Sequence, residues 1–152
     1  MNENFKLKGK AIVRELNNGK VISEEVFNNI VVEDGAERVA EYLAGESPSD
    51  MVAMVVGDGA TAGDDEPDDQ SALINELDRS NTISPTRSNN EVEWLFTFDK
   101  DSGKENLSEW GLFDDTTSES GTMLSYIIFD VEKDNENNDL QIEYTLTVEY
   151  GH

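Results

Sequence analysis

Leu140, Ile142, Tyr144, Leu146, Val148 and Tyr150 alternate without a break against Gln141, Glu143, Thr145, Thr147 and Glu149. In an extended chain this places every apolar side chain on one face and every polar one on the other, whereas a helix would scatter them around its circumference. The segment is a strand with one buried and one wet face, as in antiparallel sheets packed face to face. The same period recurs at Phe5, Leu7, Gly9, Ala11 and Val13, interleaved with Lys6, Lys8, Lys10 and Ile12, and again at Val92, Trp94, Phe96 and Phe98. Between the first of these runs and a second strand over residues 21–32 stands Asn17-Asn18-Gly19-Lys20. Asn-Gly supplies the positive φ angles of a tight hairpin turn, so the chain opens with a β-hairpin.

Other segments fill in the pattern. Asp34 and Glu37 are spaced as a capping box, Ala36, Val39, Ala40 and Leu43 share one helical face, and Gly45 suits a helix end, predicting a short helix. Residues 51–56 form a compact apolar strand closed by Gly57-Asp58-Gly59. Residues 60–70 are small and acidic, and predict an exposed loop. A helical turn is expected over residues 71–77, with Leu73, Ile74 and Leu77 inward. Residues 82–90, with Pro85, read as loop or edge strand. Strands over 107–113 and 123–131 are separated by a polar turn at 116–121, with further turns at 101–103 and 134–139. The expected fold is mainly β: an antiparallel β-sandwich with one or two short helices, in a single domain over residues 1–152.

Charge bounds the surroundings. The chain carries 34 acidic residues against 11 basic ones, a formal net charge of −23, and only 36% of its residues are apolar. Such a composition fits either a disordered chain or a folded one with an acidic surface. The regular spacing of the apolar residues favours the folded one. The acids are spread along the whole chain, which suggests an adapted surface more than an interaction tail. Self-repulsion of this size opposes compaction at low ionic strength. At 1 M salt the screening length falls to about 3 Å, which largely removes it. The surface is therefore read as one adapted to high salt. Nucleic acid is not expected as a partner, because seven Lys and four Arg form no patch that could displace phosphate counterions. No apolar run approaches the roughly 20 residues of a membrane span, and residues 1–10 show no signal-peptide core, so a soluble protein with no membrane insertion is expected.

The side chains that usually carry chemistry are scarce. There is no cysteine, and the only histidine is His152, which leaves no Ser-His-Asp or Cys-His arrangement in prospect. Paired carboxylates are the remaining enzymatic option, held roughly 5–10 Å apart as glycoside hydrolysis requires. Glu93 and Glu109, beside aromatic strands, are the candidates, although 34 acids make such pairs common by chance. Residues 64–69 and 134–139 offer oxygen ligands of the kind Ca²⁺ or Mg²⁺ accepts, without the Gly and Glu positions of an EF-hand. The simpler reading of both is a solvated loop. Trp94, Phe96, Phe98, Trp110 and Phe113 could serve sugar or partner binding, but their alternation reads as core. No catalytic, cofactor or metal site is expected.

Several segments also follow one another in a familiar order. Asn29-Ile30-Val31-Val32-Glu33-Asp34-Gly35 leads into the short helix. Met54-Val55-Val56-Gly57-Asp58-Gly59 ends a strand in a Gly-x-Gly turn, and Leu73-Ile74-Asn75-Glu76 follows. Then come Glu109-Trp110-Gly111-Leu112-Phe113-Asp114 and two closing strands over 126–133 and 140–148. Over residues 29–150 this arrangement resembles small domains of tailed-virus structural proteins, notably tail-collar, tail-fibre and baseplate components. Many such proteins are much longer and carry this domain at one end, so a compact subunit on a capsid or baseplate is expected here more than a complete fibre.

The resemblance implies a non-enzymatic structural role. The chain would be a surface-exposed, oligomeric subunit of the tail, baseplate or fibre, or of a capsid turret or decoration, and it would be found in the virion. The acidity suggests a virus of salt-loving archaea. Expected partners are further copies of the chain and other virion proteins, with the host cell surface as a further contact. The alternative is a module that binds a host-surface glycan or a cation.

Overall fold

The computed structural model describes residues 4–61, 69–100, 107–129 and 138–151. Among the described residues nine strands and one helix follow in the order β1 (Asn4–Asn17), β2 (Lys20–Val31), α1 (Glu33–Leu43), β3 (Ala53–Gly57), β4 (Glu76–Arg79), β5 (Thr86–Ser88), β6 (Glu91–Phe98), β7 (Glu109–Phe113), β8 (Met123–Ile128) and β9 (Asp139–Gly151). The strands hydrogen-bond in the order β4-β3-β7-β8-β2-β1-β9-β6-β5, every pair antiparallel. Two sheets result, joined at β2, which pairs β1 along most of its length and β8 only at Ile30 and Val31.

The alternating runs do what their period predicts. Ala11 and Val13 of β1, Trp94 and Phe98 of β6, and Leu140, Ile142, Tyr144 and Leu146 of β9 face inward from the first sheet. Met54 and Val56 of β3, Trp110 and Leu112 of β7, and Leu124 and Ile127 of β8 meet them from the second. Tyr144 joins the layers: its ring lies 4.9 Å from that of Trp110, and its hydroxyl pairs with the Ser125 hydroxyl at 2.5 Å. This is a β-sandwich. At the tip of the opening hairpin Asn18 and Gly19 take φ of 51° and 78°, as a two-residue turn of this hand requires. β5 forms the edge of its sheet, with Pro85 just ahead of it.

In the second sheet β3 and β7 are buried at every position, which is why Ala53–Val56 and Trp110–Phe113 show no alternation with polar residues. Ala53, Val55, Phe113, Met123 and Tyr126 form a cluster on its outer side, with Val32 beside them and Leu73 packed against it. Gly111 lies on this outer side. A Cβ there would fall 2.8 Å from Met123 Sδ and from Phe113 Cε1 and 2.9 Å from Leu73 Cδ1, so its space is taken by this chain's own side chains.

Two expectations about helices need correction. The helix presents a different face from the one its apolar residues suggest. Ala36 and Ala40 are exposed and Leu43 is 86% exposed, while Gly35 is buried and Val39 packs on the core. Gly35 explains this: a Cβ there would lie 2.4 Å from the Leu124 carbonyl oxygen, so the missing side chain sets the line of closest approach to β8. Val32, not Asp34, is the N-cap and makes no side-chain cap bond. Asp34 sits with Glu33 in the first turn, where acids favour the helix dipole. Gly45, at φ 76°, ends the helix as expected. The second correction concerns residues 71–77, which are not helical. They are irregular up to Asn75 and then extended as β4, with Ile74 and Leu77 exposed and only Leu73 half-buried. Pairing of β4 with β3, and backbone bonds from Ile74 and Asn75 to a buried carboxylate, override the local helical pattern.

Candidate functional site

That carboxylate belongs to Glu109. It opens β7 and points outward from the second sheet, opposite in phase to Trp110, and it is fully buried. One oxygen, Oε2, accepts from the Gly59 amide at 2.9 Å and the Asn75 amide at 2.8 Å. The other, Oε1, accepts from the Ile74 amide and the Tyr126 hydroxyl, both at 2.8 Å. Asn75 also donates from its side chain to Asp58 Oδ1 at 2.5 Å, and its carbonyl accepts from the Asp58 amide at 3.2 Å. A carboxylate offers about four acceptor sites, so Glu109 is saturated and has none left for a substrate. It pins the chain after β3 and the chain before β4 to the outer face of β7 and β8.

Next to this pin lies a hollow of about 200 Å³, lined in part by Leu73, Asn75, Glu76, Arg79, Phe113 and Ser120. Arg79 is its organising residue. Its guanidinium makes a forked pair with Glu76, at 3.1 Å from Nε and 2.7 Å from Nη2. Its Nη1 donates to the Asp115 and Ser120 carbonyls at 2.6 and 2.7 Å, and the group lies 4.6 Å above the Phe113 ring. Burial pushes the Glu76 carboxyl up, but the Arg79 hydrogen bonds and charge, the Glu119 amide and the Ser118 hydroxyl outweigh it and hold the group below its ordinary value. The clasp ties β4 to the 115–120 turn. The Asp115 carboxyl is held low as well, chiefly by the Thr117 amide.

A second, larger hollow of about 350 Å³ opens between α1 and the mouth of the sandwich, and its wall is mainly apolar. Val39 and Tyr42 of α1 form one side; Met51, Val92, Trp94 and Leu146 are among the residues forming the rest. The Trp94 indole donates to the Met51 carbonyl at 2.8 Å, and the Tyr42 hydroxyl donates to the Ser49 carbonyl at 2.7 Å, so both rings are fixed in place. Burial, with the nearby Asp50 carboxylate, raises the Tyr42 hydroxyl pKa.

The proposed carboxylate pair is not brought together. Glu93 is exposed on β6, facing away from the core between the inward-facing Val92 and Trp94, while Glu109 faces outward from the other sheet. Sheets stack about 10 Å apart, and these two side chains point away from each other across both layers. That exceeds the separation a paired-carboxylate reaction needs. Trp94, Phe98, Trp110 and Phe113 are buried and Phe96 is half-buried, in keeping with the core reading. Most of the acidic stretches 64–69 and 134–139, and His152, lie outside the described residues. Among the described residues no group of three or more acids or histidines is placed to hold a metal, and no helix is long and apolar enough to cross a membrane. Arg79, Tyr126 and Tyr42 carry roles the sequence did not single out. Only Arg79 offered a signal, as one of four arginines in a chain of 34 acids.

No family model matches the chain, and neither a curated protein nor a solved structure matches it.

Proposed function

We propose that the chain is a non-enzymatic structural subunit of a tailed virion, surface-exposed and oligomeric, in the tail, baseplate or fibre or in a capsid turret or decoration. The observation that carries this reading is the pin at Glu109. Gly59, Asn75 and Glu109 come from three separate segments of the tailed-virus resemblance, and they meet at one buried carboxylate. That the three segments meet at one carboxylate supports reading them as parts of a single arrangement. The saturated carboxylate and the paired Glu76 and Arg79 suit a part that works by shape. The charge of −23 directs the search to viruses of salt-loving archaea.

Immunogold microscopy of particles purified in molar salt, with antibody raised against this chain, tests the proposal. Gold at the tail or on the capsid is the expected result, and its position selects between the two placements. Particles that carry no label overturn the virion role.

A further inference from the structure

The outer face of the first sheet carries its charge in stripes. β1 places Lys6, Lys8, Lys10 and Arg14 there, four of the chain's 11 basic residues, opposite in phase to the buried Ala11 and Val13. β6, on the far side of β9, places Glu91 and Glu93 there, both exposed. The register of the three strands divides the face into rows: Lys8, Thr147 and Glu91; Lys10, Thr145 and Glu93; Ile12, Glu143 and Leu95. Ion pairs within the chain use part of this charge. Lys8 reaches Glu149 at 2.7 Å, and Arg14 reaches Glu24 at 2.8 Å and Glu143 at 3.8 Å. Lys10 and Glu93 stand at opposite ends of one row, and among the described residues neither has an ion pair of its own.

Such a face is complementary to itself. A two-fold axis lying along β9, between two stacked copies, keeps the rows level and exchanges β1 with β6. Lys10 of each copy then meets Glu93 of the other, Lys8 meets Glu91, and the half-buried Ile12 meets Leu95, which is 47% exposed. Thr145 and Thr147 come to the axis, uncharged and short enough for sheets about 10 Å apart. Glu143 meets its own twin there, with an Arg14 beside each. An isologous contact requires this property, because every contact one copy makes is returned by the other. A different protein would have to match each stripe separately, and gives no reason for opposite signs to mirror each other across β9. We infer that the outer face of the first sheet docks a second copy of this chain, sheet on sheet, with Lys10 of each copy paired to Glu93 of the other. This deepens the oligomeric part of the subunit reading and rests on that reading for its purpose.

Sedimentation velocity of the full chain in 1 M KCl tests it, since that salt screens long-range repulsion but screens pairs buried in a contact much less. The wild type is expected at twice the chain mass. Lys10→Glu sets carboxylate against carboxylate at both ends of the contact, and Glu93→Lys sets ammonium against ammonium, so each variant alone is expected at the mass of one chain. Mixed in equal amounts, the two variants restore both pairs in a mixed dimer, and twice the chain mass is expected again. Both side chains are exposed, and circular dichroism of each variant is expected to match the wild type. Carbodiimide crosslinking of the wild type, from mixed heavy- and light-isotope chains, covers the case of a variant that does not fold. A Lys10–Glu93 link joining a heavy chain to a light one is expected, and its absence overturns the inference. So does a wild type that stays monomeric at every concentration, an oligomer that either variant leaves intact, or a mixture that stays monomeric. The virion reading stands or falls separately, on the particle labelling.

Discussion

Glu109→Gln keeps the shape of the side chain but turns one oxygen into an amide nitrogen that faces two donors. Buried donors left without an acceptor cost about 1–3 kcal/mol each, and bonds to a charged acceptor are the stronger kind. Urea unfolding at fixed high salt is therefore expected to show a loss of about 3 kcal/mol or more; a variant within 0.5 kcal/mol, roughly the scatter of ordinary surface changes, would mean that the pin contributes little. Glu76 allows a test by pH. Its folded pKa lies below the ordinary 4.5. The stability it contributes is thus complete above that ordinary value, and it is lost as pH falls through the lower folded value. Glu76→Gln is expected to flatten this acid limb in a series of urea midpoints against pH, and an unchanged slope would remove Glu76 as its source. Glu109 was legible in the sequence only as an acid beside an aromatic strand. Its partners lie 50, 35, 34 and 17 positions away in the chain, and nothing in the local pattern points to them.

The elements were more legible where a single face is buried. β1, β6 and β9 each face the core on one side and solvent on the other, so period two survives in the sequence and fixes both strand and facing. β3 and β7 are covered on both sides, and their facing could not be read from composition. The helix was legible in extent and not in orientation, because the residue that decides its orientation is a glycine, which carries no hydrophobic signal. Gly35→Ala tests this. Alanine improves helix propensity by about 1 kcal/mol over glycine, yet its Cβ would meet the backbone of β8, which cannot rotate aside as a side chain can. Net destabilisation is expected, read as a lower urea midpoint; a midpoint equal to or above that of the wild type would show that α1 can ride outward without cost. Residues 71–77 failed for a related reason. Their apolar spacing is helical, but their backbone amides are donated to Glu109, a partner outside the segment.

For the molecule as a whole, Glu109 is the only fully buried acid among the described residues, so the charge sits mostly where ions can screen it. Raising KCl from low concentration toward 1 M shortens the screening length to about 3 Å. The thermal midpoint followed by circular dichroism is expected to rise steeply over that range. A midpoint independent of salt would show that the acidic surface imposes no strain on the fold. The architecture was predictable from period and turn chemistry, whereas the hollows were not, because the one beside α1 is assembled from residues of six separate segments.

The ladder between β1 and β9 has a mechanical corollary. Thirteen residue pairs run from Asn4 opposite Gly151 to Leu16 opposite Asp139, and residues 4 and 151 lie side by side. Tension applied between those two points falls on one rung at a time, and the strands peel apart like a zipper. Tension along the strand axis would load all the rungs together in shear.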